Sequence, residues 1–404
     1  MSKKVHITAL LLAASSAFSG VADFSDLLAD KGPALETTAV KPGKSYFCWP
    51  MHKSWASFNS WINFLYWQPL EDNVEPAGLK KSLTVIGFQG RDDGAIVNMD
   101  FAYKPGFQIG FGTNFNYGRV DLSGEYTRFH ATTHLAKSGK EYFPMQLDPG
   151  TLLAFLNGIT NAAGGLNTAG IPAAPLSFDE TWKLTMDLAD LNLGSWHTRG
   201  KIIESHPFIG LRAAWIDQSL DVAYGGYLLS GGFLGNAGAT STSHSWAIGP
   251  RGGIATNWKI AKGLKLYWDA AGDILYTNYD WRGQSFAIVP TAGVSTVGPV
   301  FWSSDVIQSS ISTLRTHFDI DLGLRWGLCF NEEKTRFELS AGYEFQVFFD
   351  QNMFRHFTTM IEEIGIAGGS GLTELVGVIT TPISNEPNGN LYLQGLKVSA
   401  EFAF

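Results

Sequence analysis

The chain has 404 residues and a formal net charge of −8, and only 16% of its residues are charged, against roughly 25% in a typical soluble domain. It holds 28 Phe, 13 Trp, 13 Tyr and 45 Gly. An acidic balance argues against a nucleic-acid surface, and the length admits one large domain or two smaller ones.

Met1 to Ala22 begins with Lys3 and Lys4, continues through a short apolar run from Val5 to Ala14, and ends in small residues before Asp23. That pattern predicts a secretory signal peptide over 1–22, too short to span a bilayer, with Ser19–Gly20 as a second cleavage point. No later stretch approaches the roughly 18 uninterrupted apolar residues of a spanning helix. The chain is therefore expected outside the cytoplasm, either soluble or as a membrane barrel. Residues 23–53, with Pro33, Pro42 and Pro50, have no strong period. They read as a periplasmic segment, with a lumenal plug as the alternative.

From 54 to 404 a two-residue period recurs, the mark of strands with one apolar and one polar face. Predicted strands run over Trp55–Trp67, Asn98–Phe115, Val120–Thr133, Trp182–Gly194, His206–Val222, Ser245–Ile260 and Leu264–Trp281. In Trp182–Gly194 the alternation slips near Leu188 and Ala189, which suggests a bulge. The eighth and ninth strands form the clearest hairpin. Phe318, Ile320, Leu322, Leu324, Trp326 and Leu328 alternate with polar residues or Gly, and so do Phe337, Leu339, Ala341, Tyr343, Phe345 and Val347 after a polar turn at 331–334. Each is long enough to cross a bilayer at barrel tilt, about 9–11 residues. The chain ends on Leu396, Val398, Ala400, Phe402 and Phe404 at every second place. A strand that stops on a bare aromatic invites edge aggregation unless it closes a barrel, so Phe402 and Phe404 are assigned to a closing strand.

The expected fold is all-β: a transmembrane antiparallel up-and-down barrel of about 10 strands (range 10–14) with long extracellular loops. Connections alternate between short (116–119, 195–205, 261–263, 331–334) and long (68–97, 134–181, 223–244, 282–316, 350–390). Outer-membrane barrels keep short turns on the periplasmic side. The loops at 134–181 and 350–390 have room for a further hairpin or for short helices at Leu152–Ile159 and Thr358–Ile364. Trp61, Tyr66, Trp67, Trp215, Trp246, Trp258, Trp268, Tyr276 and Tyr279 fall near strand ends, as interfacial aromatic belts would place them.

Parity assigns the lumen-lining ionisable residues. The acidic ones are Asp121, Glu125, Asp269, Asp273, Asp319, Asp321, Glu338, Glu344 and Glu401; the basic ones are Arg212, Arg251, Lys259, Lys265, Arg325, Arg336 and Lys397. A charge facing lipid at mid-bilayer costs roughly 2–4 kcal/mol, so the set faces inward. Two readings follow: an open pore whose charges tune selectivity, or a filled lumen in which they pair, since about eight strands leave a packed core and 16–18 a channel. Catalytic motifs are missing: there is no His-Glu-x-x-His, Gly-x-Ser-x-Gly or phosphate-binding Gly-x-x-x-x-Gly-Lys-[Ser/Thr]. The nine His show no metal-ligand spacing. No cofactor and no metal are expected. Cys48 and Cys329 are both placed on the periplasmic side, where an internal disulfide, a crosslink to other envelope proteins or free thiols are open. Strands one and eight are not neighbours, which leans the reading away from an internal bridge. Expected partners are outer-membrane lipid and the barrel-assembly machinery.

Several stretches resemble a known family in the order in which they occur. They are Ser57-Phe-Asn-Ser-Trp-Ile-Asn-Phe-Leu-Tyr-Trp-Gln-Pro-Leu-Glu-Asp72, Lys104-Pro-Gly-Phe-Gln-Ile-Gly-Phe-Gly112, Glu125-Tyr-Thr-Arg-Phe-His130, the run from His206 to Gln218, Gly342-Tyr-Glu-Phe-Gln346 and the run from Gly395 to Phe404. Together these are similar to the Legionella-type major outer membrane proteins, which include porins of Chlamydia-related bacteria. The resemblance spans about 55–404. It implies a pore-forming outer-membrane barrel passing small hydrophilic solutes and ions by passive diffusion, and no catalytic residues. A closed structural or adhesive barrel, and a barrel enzyme acting on lipid or peptide, are the alternatives. The insert at 134–181 departs from the family pattern.

Overall fold

The structure, a computed structural model, describes residues 56–75, 77–79, 96–115, 120–139, 142–144, 146, 177–199, 202–225, 236–261, 263–289, 300–303, 307–330, 335–354, 357–361, 380–384 and 389–404. The expected signal peptide, the segment 23–53, Cys48 and the helix at 152–159 lie outside these residues.

Ten long strands form one antiparallel sheet: β1 Ala56–Glu71, β2 Lys104–Phe115, β3 Val120–Ser138, β4 Ser177–Gly194, β5 Ile203–Gly225, β6 Asn236–Ala261, β7 Leu264–Val289, β8 Ile307–Phe330, β9 Thr335–Asn352 and β10 Gly389–Ala403. Each pairs with its neighbours in sequence. β10 returns to β1 with Phe64 opposite Val398 and Tyr66 opposite Leu396, and the barrel closes. At the seam the backbones of Phe58 and Phe404 exchange two hydrogen bonds of 2.9 Å, so the terminal residue is part of the closure. Closure leaves no unpaired edge among these ten strands.

Three expectations change. β2 starts at Lys104 rather than Asn98; Ile96–Val97 instead joins a small sheet with Ala77–Leu79 and Tyr142–Pro144. Phe357–Ile361 is not helical but pairs antiparallel with Thr380–Ser384, so the loop after β9 does carry a hairpin, outside the barrel sheet. The bulge at Leu188 and Ala189 is also absent. β4 keeps an unbroken register with β3 (Leu188 opposite Thr127) and with β5 (Leu188 opposite Ala214).

What looked like a slip is an inversion of chemistry on constant faces. Along β4 the inward side chains are Phe178, Glu180, Trp182, Leu184, Met186 and Leu188, then Asp190 and Asn192. The outward ones are Asp179, Thr181, Lys183, Thr185 and Asp187, then Ala189, Leu191 and Leu193. β7 does the same in reverse order. Outward Leu266, Trp268, Ala270, Ile274 and Tyr276 give way to Asn278, Asp280 and Arg282, while inward Lys265, Asp269 and Asp273 give way to Leu275, Tyr279 and Trp281. Strands of up to 26 residues exceed the about 9–11 needed to cross a bilayer, so the barrel has two storeys. The lower one, at the end with short connections, is apolar outside: Ile62 is 58% exposed, Phe111 68% and Ile248 50%. The upper storey is polar outside and apolar within. Its core joins Leu65, Trp67, Phe129, Trp182, Met186, Ile216, Leu275, Tyr279, Trp281, Phe348 and Leu393. Phe101 meets Trp182 edge-on at 5.1 Å between ring centroids.

The aromatics divide accordingly. Tyr66, Trp215, Trp246 and Tyr276 are exposed on the outer wall, with Trp215 directly opposite Trp246 and the Trp246 and Tyr276 rings 6.0 Å apart. They sit at the junction of the storeys, as an interfacial belt should. Trp61, Trp67 and Tyr279 face inward instead. Indole and phenol groups serve a packed interior as well as an interface, so aromatic type alone does not choose the face.

Candidate functional site: a charged lumen below an apolar core

All sixteen ionisable residues assigned to the lumen by parity point into it, in three layers. At the lower rim, Arg336 holds Glu401 at 2.6 Å and approaches Glu338 at 3.7 Å, while Arg325 Nε lies 3.0 Å from Glu338. Lys259 and Lys265 converge on Glu204 at 2.7 and 3.4 Å. His206 Nε2 meets Asp121 at 2.6 Å, and its ring stacks on Trp196. It reaches Asp121 by lying over Gly194, where a Cβ would collide with the imidazole.

Above the rim is a chamber of about 270 Å³ bordered by Asp121, Glu125, Asp269, Asp321, Lys397 and the aromatic rings of Trp61, Trp196 and Tyr267, among others. Trp61 crosses Gly110, which has no side chain to block it, and its Nε1 donates to Glu125 at 2.7 Å. Tyr267 donates its hydroxyl to Asp321 at 3.0 Å, and Lys397 bridges Asp321 and Glu344 at 3.4 and 3.6 Å.

The third layer lies above the chamber. Arg212 donates to both oxygens of Asp190 at 2.6 Å, to Asp273 at 2.9 Å and to Asp319 at 3.4 Å. Arg251 meets Asp273 at 3.1 Å and Asp319 at 2.7 Å. His317 Nδ1 sits 2.6 Å from Asp273, and its ring lies 4.1 Å from that of Phe348, where the apolar storey begins. These residues come from β4, β5, β6, β7 and β8, so the layer spans half the ring of strands. Arg212, Asp273 and His317 are at most 3% exposed. Charges this deep are tolerated because each has several opposite or hydrogen-bonding partners. Asp273, His317 and Asp319 also bring one ligand atom each within 4.8 Å of one another, a convergence that spacing along the chain did not show. The same carboxylates are already held by two guanidinium groups, which disfavours a metal cation there.

Asp190, Glu204, His206 and His317 were not singled out in the sequence. Asp190 was hidden by the supposed slip, Glu204 lay just outside its predicted strand, and the two histidines gave no local motif. Cys329, at the lower end of β8, is disulfide-bonded, against the lean towards free thiols or intermolecular links. The chain's one other cysteine is Cys48.

A family profile described as the Legionella pneumophila major outer membrane protein precursor matches residues 51–404. The chain belongs to this major outer membrane protein family. The barrel accordingly lies in the outer membrane, with the short connections and the chamber on the periplasmic side and the upper storey outside the cell. No curated protein matches significantly. Among solved structures, the outer membrane protease OmpT of Escherichia coli is 7% identical with a TM-score of 0.33, covering 86% of this chain and 96% of its own. A major outer membrane protein of Thermus thermophilus is 12% identical with a TM-score of 0.25, covering 86% and 99%. A Pseudomonas aeruginosa FadL homologue is 5% identical with a TM-score of 0.25, covering 86% and 90%. At these scores the family and the closed register, not the likenesses, carry the assignment.

Proposed function

We propose that this family member is a sealed outer-membrane barrel with a structural or adhesive role, presenting its extracellular storey and loops, rather than an open diffusion porin. The observation that carries this reading is the double closure above the chamber. The Arg212–Asp190–Asp273–Arg251–Asp319 layer fills the lumen from half the strands, and the wall's own Trp67, Trp182, Met186, Leu275 and Phe348 pack the lumen over it. Ten strands lie nearer the filled barrels than the porins. A pore would require wall side chains, not a removable plug, to part.

The pore-forming reading, passive diffusion of small hydrophilic solutes and ions, is the second. The polar chamber favours it, since it supplies the periplasmic half of such a path. Single-channel recording on the refolded protein separates the two. The sealed barrel gives no steady ohmic conductance, and a stable, voltage-independent open level overturns it. An enzymatic role has less support. His206 and Asp121 form a His–acid pair at the rim, but among the described residues no hydroxyl is hydrogen-bonded to His206.

A further inference from the structure

We propose that the periplasmic chamber is a binding site for a small organic ammonium ion, a short linear diamine in class. The inference is independent of whether the barrel conducts, because the chamber extends to rim residues Ser57, Asn114 and Ala403 and is approached from the periplasmic end in either case.

The charge balance of the wall comes first. The chamber is bordered by seven carboxylates and four Lys or Arg side chains. Those four are committed. Lys265 is held by Glu204 and Lys397 by Asp321 and Glu344. Arg336 is held by Glu401 and Glu338, and Arg325 by Glu338. Arg325 in addition lies over the Tyr267 ring at 4.8 Å. Two carboxylates remain without a cation within salt-bridge distance among the described residues. Glu125 has a neutral donor, the Trp61 indole. Asp269 lies directly opposite Asp321 across the β7–β8 ladder, and like charges placed directly opposite each other are destabilising. A third acceptor is Asn63, on the chamber wall and 3% exposed. Its amide nitrogen donates to Gln108, while its Oδ1 is buried with no partner. Buried acceptors without donors are costly, by about 1–3 kcal/mol each.

What is missing is therefore a donor-only cation. A water molecule brings donors but no charge, and an anion meets the wrong sign. The arrangement further asks for two positive ends. Asn63 on β1 and Glu125 on β3 border the chamber on one side of the ring. Asp269, on β7, is four strands from β3 in a closed ring of ten, and so lies across the lumen. The rings of Trp61, Trp196 and Tyr267 also border the chamber; His206 stacks on one face of Trp196 and Arg325 lies over one face of Tyr267, and the remaining aromatic surface suits a methylene chain. A volume of about 270 Å³ is many times the ~10–15 Å³ that admits one water, so the chamber has room for a short diamine.

The probe is putrescine, titrated calorimetrically into the full-length protein purified in detergent, with 1,4-butanediol as the uncharged isostere. Saturable binding of putrescine and none of butanediol is expected. Asp269→Asn and Glu125→Gln should each weaken binding on the order of tenfold, about 1.4 kcal/mol. Native folding is checked by heat-modifiable migration on gels. Should either variant fail that check, Asn63→Asp adds a charge on the β1–β3 side of the chamber and is expected to tighten binding several-fold. Absence of saturable putrescine binding to the wild type overturns the proposal. So does equal binding of butanediol, or an affinity unmoved in whichever of these variants fold.

Discussion

The two storeys of this barrel use the same strands and opposite rules. Below, lipid is the outer solvent, so the outer wall is apolar and the interior collects charge. Above, water is the outer solvent, so polar residues face out and Trp67, Trp182, Met186 and Tyr279 pack within. The upper half is built as a soluble β-protein is, from burial worth about 1.5–3 kcal/mol per large apolar side chain. The lower half takes its inner cohesion from ion pairs that are cross-wall and multiply shared. One backbone register serves both, because the environment outside changes along each strand while its faces do not.

The sharpest way to break the lower storey is to remove its central cation. Arg212→Ala leaves Asp190 buried without its two guanidinium hydrogen bonds, while Asp273 keeps Arg251 and His317, and we expect a loss of about 3–5 kcal/mol, read as the urea midpoint of refolding into vesicles. Asp190→Asn in the Arg212→Ala background should recover part of that loss. A strictly additive double mutant would show the layer to be less connected than its geometry.

The upper storey answers to packing. Trp182→Ala should cost about 3–5 kcal/mol by opening a cavity, in the range of the arginine deletion but without rescue by any charge change. The outer wall gives a paired test on one strand. Leu322 and Ser312 share the outward face of β8, one in each storey. Leu322→Arg should cost about 2–4 kcal/mol, whereas Ser312→Arg should stay within ~0.5 kcal/mol. Similar losses at both would remove the boundary drawn between the storeys.

A smaller effect has the opposite sign. Glu180 is fully buried in the upper storey, and neither carboxylate oxygen has a hydrogen-bond partner. Glu180→Leu should therefore stabilise by about 1 kcal/mol, because it removes a buried polar group that has no partner. A destabilised variant would mean that the carboxylate has a role its surroundings do not show. The smallest change concerns Cys329. Cys329→Ser should alter migration of the unreduced monomer on gels while leaving barrel assembly intact.

Much of the lower storey was legible from periodicity. Asp321 and Leu322, or Lys397 and Val398, alternate so cleanly that their faces followed from a period of two, and every ionisable residue assigned inward is inward. The upper storey was not legible by the same rule. With apolar taken as outward, Trp182 to Leu188 looked out of phase, and Asp190 dropped from view. Trp61 was assigned to an interfacial belt because it falls near a strand end, yet it points at Glu125.

By itself the sequence determined that the chain is a barrel, the order and approximate course of its ten strands and, in the lower storey, which side chains share a face. Those are properties of neighbours along the chain, set by the pleat and by the solvent each face meets. Only the tertiary structure decided that Arg212 joins carboxylates and an imidazole from several strands, that a polar chamber lies below an apolar core, and that Asp269 and Glu125 border it from strands four apart. Such pairings depend on how the ring of strands closes. That is a relation between residues a hundred or more positions apart, and no local period encodes it.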